Sequence, residues 1–349
     1  MGLFSSKPNS YLGVDIGGSS IKIVELKKEA GGLKLLSYGF SESLKIDSGV
    51  DWQKDKKFTA SVINKIREKS NIKSDNAIAA LPTFSVFSSV LNLHNVNPKD
   101  ISSAAQWEAK KVMPLPLEEM ILDWRKIEDE NKGKKDKNTK ILLIGAPKSL
   151  IQKYMAVFKE AKINLLSLET ETFSLVRSLL GDDKATSMII EIGVSSSDIS
   201  IISKNIPILS RSLDVGGANI TNTISKNLNI GAERAEQFKY DLGIDLLGKK
   251  NEIIPQSIID SVNSIVNEVK HIRDLYEERN NDKIEKIILS GGSALLPNFS
   301  EYLSQILNMN VIIGDPWARV SYPSDLEPVL KEVGPRLSVA IGLAMRGIE

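Results

Sequence analysis

Two short stretches of this chain repeat one pattern. Asp15-Ile16-Gly17-Gly18-Ser19-Ser20-Ile21-Lys22-Ile23 is echoed by Glu191-Ile192-Gly193-Val194-Ser195-Ser196-Ser197-Asp198-Ile199, at an offset of 176 (191 minus 15). Both copies follow an apolar run that ends in a carboxylate, and each reads as strand, glycine turn, strand. A repeat at this spacing predicts two similar halves. The 349 residues are enough to give each half a core of its own.

The turns point to anion chemistry. Gly17 and Gly193 can take positive φ, and no Cβ stands between their amides and a ligand. Successive N–H groups around Gly17, Gly18 and Gly193, with the hydroxyls of Ser19, Ser20, Ser195 and Ser196, can line a concave anion site. Two such hairpins facing each other would grip a polyphosphate from both sides. Asp15 and Glu191, each ending a strand, are placed to hold Mg2+, usually through water. The competing phosphate motifs are absent: there is no G-x-x-x-x-G-K-[ST], and the first loop runs into a strand where a Rossmann fingerprint needs a helix.

Around these turns the first half opens as a three-strand meander over Tyr11–Ser41, followed by a helix over Phe58–Ser70 and short β-rich runs over Asn76–Leu91. A unit between 98 and 160 reads as a helix after Pro98, two strands around the charged tip Lys132–Lys140, and a second helix. Gly181-Asp182-Asp183-Lys184 separates the halves. The second half adds helices over Gly231–Gly243, Ser257–Glu278 and Pro335–Arg346.

Further constellations stay open on their residues alone. A buried strand from Ile287 runs into Gly291-Gly292-Ser293 and on to Leu296 and Pro297; it is either an ordinary βα loop or a nucleotide floor beneath a helix N-terminus. Asp214–Asn219, with Gly216 and Gly217, is a cleft loop or the turn that ends a strand. Glu236 and Lys239 share a helix face, as ribose ligands or as an exposed ion pair. Glu169, Glu171 and Glu191 are the candidate catalytic acids; the first two could orient a water or be surface acids at a strand-to-helix junction. His94 and His271 lack partners for metal or triad chemistry.

Composition excludes several functions. Lys+Arg at 45 against Asp+Glu at 44 leaves a net charge of +1, which argues against nucleic acid as a partner. The absence of cysteine removes disulfides and thiolate sites. No signal-peptide core is present and no window approaches the ~18 apolar residues of a membrane span, so the expected location is cytoplasmic, with membrane contact only through a partner. Gly2 and Ser6 fit an N-myristoylation pattern short enough to recur by chance.

The order of hairpin loop, helix, inserted unit, second hairpin loop and strand-Gly-Gly turn resembles the actin, DnaK and sugar-kinase ATPase superfamily over nearly the whole chain. In that resemblance DIGGSSIK and EIGVSSSDIS are the phosphate loops, ILSGGSALLPNF the adenosine loop and AEQFK the ribose-binding helix. GLFSSK followed by GVDIGGSSIKIVEL, then QWEAKKVMPLPLEEMILDW and ETETFSLVRSLL, resemble the PilM family of type IV pilus assembly, whose inserted subdomain is shared with FtsA.

The resemblance implies an α/β, actin-like two-lobed ATPase fold with an FtsA-type inserted subdomain (1C). Subdomain 1A would take 9–87, 161–183 and 334–349, 1C 88–160, 2A 184–212 with 285–333, and 2B 213–284. It implies ATP and Mg2+ as cofactors. Asp15, Gly17, Gly18, Ser19, Ser20, Lys22, Gly193, Ser195, Ser196, Gly216, Gly217, Glu236, Lys239, Gly291, Gly292, Ser293 and Leu296 would hold the nucleotide, and Asp15 and Glu191 the metal.

Glu191 stands where many of the superfamily carry Asp. ATP is accordingly expected to order the lobes with slow turnover or none. The implied function is an adaptor that binds the N-terminal cytoplasmic peptide of the inner-membrane protein PilN, in a groove between the first lobe and the insert. It would sit at the inner membrane through PilN, beside other platform proteins of pilus assembly; a homo-oligomer or ring is left open. The alternatives are an FtsA-like filament, disfavoured by a chain that stops at GLAMRGIE without an amphipathic helix, and a sugar-kinase-like phosphotransferase, for which no Asp base or sugar segment is found.

Overall fold

The computed structural model describes residues 10–41, 55–94, 96–127, 138–244, 253–280 and 282–348; Gly2, Ser6 and most of the tip Lys132–Lys140 lie outside them. In chain order the elements are β1 (Ser10–Ile16), β2 (Ile21–Glu29), β3 (Gly32–Phe40), α1 (Lys56–Lys69), β4 (Asn76–Leu81), β5 (Phe87–Leu93), α2 (Ile101–Val112), β6 (Met120–Ile127), β7 (Thr139–Pro147), α3 (Lys148–Glu160), β8 (Asn164–Thr170) and α4 (Glu171–Leu175). The second half holds β9 (Ser187–Ile192), β10 (Ser197–Ser203), β11 (Ile206–Leu213), α5 (Gly217–Leu228), α6 (Ala232–Leu242), α7 (Ile253–Asn280), β12 (Lys286–Ser290), α8 (Phe299–Leu307), β13 (Val311–Ile313), β14 (Val320–Ser321) and α9 (Glu327–Ile348).

The repeat read in the sequence is a repeat of topology. One sheet runs β14-β3-β2-β1-β4-β8 and the other β11-β10-β9-β12-β13. Each has a meander whose first strand pairs in parallel with a later strand, β1 with β4 and β9 with β12. β1 is apolar on both faces because both are covered. Leu12, Val14 and Ile16 meet α1 and α3 through Ile63, Tyr154 and Phe158, while α9 lies on the other side. At Gly13 an added Cβ would overlap the backbone oxygen of Ala340, so that contact is backbone against backbone.

The inserted unit is a three-stranded sheet, β5-β7-β6, with α2 packed on it through Ile101, Ala105, Leu93 and Ile141. Two expected boundaries move. α3, assigned to the insert up to residue 160, buries Leu150, Tyr154, Val157 and Phe158 in the core of the first lobe. The return to that lobe, expected at 334, comes earlier: Trp317, Val320 and Leu330 pack with Val24, Leu26 and Leu35, and β14 extends the first sheet beside β3. The long-range packing of Trp317 against a meander almost three hundred positions earlier leaves no local sequence signal.

Candidate phosphate and cation site

The two repeated turns close in the same way. Ile16 pairs with Ile21 and Ile192 with Ser197, and each turn is pinned by one backbone bond, Gly17 N–H to Ser20 O at 3.0 Å and Gly193 N–H to Ser196 O at 2.9 Å. Positive φ is not their reason for glycine, contrary to the expectation: the described glycines with positive φ are Gly32, Gly181, Gly243 and Gly291. Each is instead tightly placed against its own turn. A Cβ at Gly17 or Gly193 would sit 3.2 Å from the oxygen of Ser20 or Ser196. The turns also face each other, since a Cβ on Gly18 would lie 2.8 Å from Ser195 Oγ.

A glycine-lined floor lies beside the second turn. Gly217 N–H donates to Gly193 O at 2.9 Å and Ala218 N–H to Val194 O at 2.8 Å, which docks the start of α5 on that turn. A Cβ on Gly217 would reach Ser293 Oγ at 2.5 Å and Lys239 Nζ at 3.4 Å. Lys239 is 2 % exposed while the Glu236 side chain is 48 % exposed, so the pair joins a buried ammonium to a carboxylate at the surface. Its ammonium donates to both Glu236 oxygens at 2.8 Å, to Thr221 Oγ1 at 3.1 Å and to Gly217 O at 3.3 Å. Burial pulls its pKa down, against the pull of Glu236.

The Gly291-Gly292-Ser293 segment departs from the expected helix. It enters a 3-10 turn over Gly292–Leu295, and α8 starts only at Phe299, so no helix N-terminus lies directly at the glycines. Gly291 has φ 84° and ψ 170°. Gly292 faces Arg336, and the Leu296 side chain goes into the core of the second lobe.

The acids gather differently from the expectation. Glu171, Glu191 and Asp198 each bring a carboxylate oxygen within 4.8 Å of the others. Asp198, absent from the sequence-derived set, faces Glu191 across β9 and β10 and accepts from Ser212. The signal was present: adding the repeat offset to Lys22 lands on Asp198. Glu171 accepts from Thr83 N–H at 2.8 Å and from its hydroxyl at 3.0 Å. Burial, Asp15 and Asp198 push Glu191 up to about 8, burial pushes Asp198 up to about 6, and burial with Glu191, Asp198 and Asp15 raises Glu171 well above the carboxylate range.

Of the expected metal pair, Glu191 belongs to this cluster, while Asp15 is bonded to Lys22 at 2.7 Å. Burial works against the Lys22 ammonium, yet Asp15, Glu191 and Glu171 together raise its pKa. Glu169 does not join the cluster. Arg177 at 2.7 Å and Arg346 at 2.6 Å hold its two oxygens, so it ties α9 to the first lobe and is not placed to orient a water.

Next to the cluster lies a cavity of about 480 Å3, walled by Phe84 and Phe173 of the first lobe, Ile144 of the insert and Arg211 of β11. Thr83 and Ser212 line it too, and they are the donors to Glu171 and Asp198. Among the described residues no helix is long and apolar enough to cross a membrane.

A family model described as type IV pilus assembly protein PilM matches residues 13–348. The chain is 21 % identical over 341 residues to the cell division protein FtsA of Streptococcus pneumoniae, covering 86 % of this chain and 74 % of that protein. Among solved structures, a PilM-PilN type IV pilus biogenesis complex matches with TM-score 0.84 at 20 % identity, covering 99 % of this chain and 100 % of that one. MreB5 of Spiroplasma citri bound to AMPPNP matches with TM-score 0.53 at 14 % identity, covering 97 % and 95 %. The fold is that of the actin-like ATPases.

Proposed function

The chain belongs to the type IV pilus assembly protein PilM family, and from that premise we propose that it is an ATP-binding adaptor, loaded between its two hairpin turns, that holds the cytoplasmic N-terminal peptide of a PilN-type inner-membrane protein. The observation that carries the nucleotide part is that the two turns face each other: a Cβ on Gly18 would lie 2.8 Å from Ser195 Oγ, so the serine hydroxyls and backbone of both copies of the repeat come to one junction between the lobes, where a polyphosphate would have polar groups on two sides. MreB5, of the same fold, is described with AMPPNP bound.

The residues fit a divalent cation as well. Like charges directly opposed across a hairpin are destabilising, and the Glu191–Asp198 pair with Glu171 beside it supplies the hard oxygen donors that Mg2+ takes. Mg2+, when bound, would neutralise these acids and the phosphates of the nucleotide. Gly17, Gly18, Ser19, Ser20, Gly193, Ser195 and Ser196 would position phosphate, and Gly217, Ser293, Glu236 and Lys239 the nucleoside side, Lys239 by fixing Glu236 against Thr221. ATP then serves as a ligand that joins the lobes, with slow turnover.

The peptide reading is supported by the match to a PilM-PilN complex and by the cavity between first lobe and insert. It differs from the expected groove in having β11 of the second lobe as a further wall. An immobilised N-terminal cytoplasmic peptide of a PilN-type protein should retain it, and retain more of it with ATP. No retention in either condition contradicts the adaptor reading.

A further inference from the structure

The two hairpins differ in kind at one matched position. Lys22 lies opposite Asp15 in the first, and Asp198 lies opposite Glu191 in the second. Opposite charges across a strand pair attract and like charges repel, so the first hairpin is internally neutral and the second is not. The two are not separate systems. Asp15 raises the pKa of Glu191, and Glu191 and Glu171 act on the Lys22 ammonium. Lys22, whose side chain is 18 % exposed, holds its Nζ 2.7 Å from Asp15 Oδ2, and the three carboxylates of Asp15, Glu191 and Glu171 act on it. That ammonium also lies against the first phosphate turn, 3.4 Å from where a Gly17 Cβ would be.

We propose that Lys22 is the resident counter-ion of the cation site: it occupies Asp15 in the nucleotide-free protein, disfavours a bare divalent ion, and lets one bind only together with a polyphosphate that takes over the ammonium. This rests on the reading of the acids as the metal-holding group of a nucleotide site. The physical basis is repulsion between two cations on neighbouring carboxylates, the Lys22 ammonium on Asp15 and a divalent ion on the Glu171, Glu191 and Asp198 group. At a partly buried site a unit charge a few ångströms away is enough to shift cation affinity by at least about tenfold. An ammonium has three N–H donors and no acceptor, so it can exchange a carboxylate oxygen for a phosphate oxygen without losing a partner. Free Mg2+ would then leave the lobes as they are, and Mg-nucleotide would be the signal the molecule reads.

The test is Mn2+ binding, followed by paramagnetic resonance of the free ion, to the full chain and to Lys22→Gln and Lys22→Arg, with AMPPNP binding measured on the same samples. Lys22→Gln should bind Mn2+ alone at least about tenfold more tightly than the unsubstituted chain, and Mn2+ alone should raise the melting temperature of that variant only. Its affinity for metal-free AMPPNP should fall by a similar factor, and Lys22→Arg should restore both behaviours. Unchanged or weaker Mn2+ binding by Lys22→Gln, with Mn-AMPPNP still bound by the unsubstituted chain, overturns the inference alone. Absence of Mn-AMPPNP binding by the unsubstituted chain overturns the site reading and the inference with it. A Lys22→Gln chain that stays unfolded in millimolar Mn2+ while Lys22→Arg folds also contradicts it, because Mn2+ should replace the missing charge.

Discussion

Gly291 occupies a backbone region that only glycine enters freely, at φ 84° and ψ 170°, and a Cβ there would overlap the carbonyl oxygen of Ile192. Gly291→Ala should therefore cost about 1–3 kcal/mol from the backbone alone, read as a lower urea midpoint. The acids give a second residue-level expectation. A carboxyl with a higher pKa folded than unfolded binds its proton more tightly in the native state, so stability falls as pH rises. For Glu191 the penalty grows from its ordinary 4.5 to about 8, and for Asp198 from 3.8 to about 6. Without divalent ions the melting temperature should drop between about pH 4 and about pH 8. Glu191→Gln should flatten the upper part of that drop, and an unchanged slope would contradict the cluster's electrostatics. Glycine and serine at these turns were legible in the sequence because both copies carry them. Asp198 is not legible by likeness, because its counterpart in the first copy is Lys22, a residue of opposite charge.

At the scale of elements, the β9–β10 hairpin carries the unbalanced charge and the β1–β2 hairpin does not. Asp198→Asn removes the like-charge pair, so it should raise the melting temperature of the metal-free protein and at the same time weaken binding of Mg-nucleotide. Movement of both in the same direction would argue that Asp198 is structural only. α9 is held on β1 by absent side chains: Gly13 meets Ala340, and Gly342 meets the Ser174 backbone of α4. Gly13→Ala should cost at least the about 1–3 kcal/mol typical of overpacking, measurable as a lower thermal midpoint. The strands and helices themselves were readable from periodicity. Their destinations were not, as α3 shows: Leu150, Tyr154, Val157 and Phe158 mark a buried face, but nothing in their spacing says that the first lobe and not the adjoining insert covers it.

For the whole molecule, one duplicated strand-turn-strand unit organises both lobes. Each copy leads a sheet of matching strand order, and the turns at the two leading hairpins meet across the cleft. The cavity at the edge of that cleft shares Thr83 and Ser212 with the acids, so a segment seated there and a ligand between the turns would act on the same side chains. The central claim is that the facing turns form a phosphate clamp, and titration calorimetry with Mg-AMPPNP tests it most directly. Saturable binding at one site per chain is expected for the unsubstituted protein, weaker binding for Asp15→Ala, and none for a folded Gly17→Val, whose side chain would enter the turn. Absence of binding by the unsubstituted protein, or equal affinity in the folded Gly17→Val variant, would contradict the clamp.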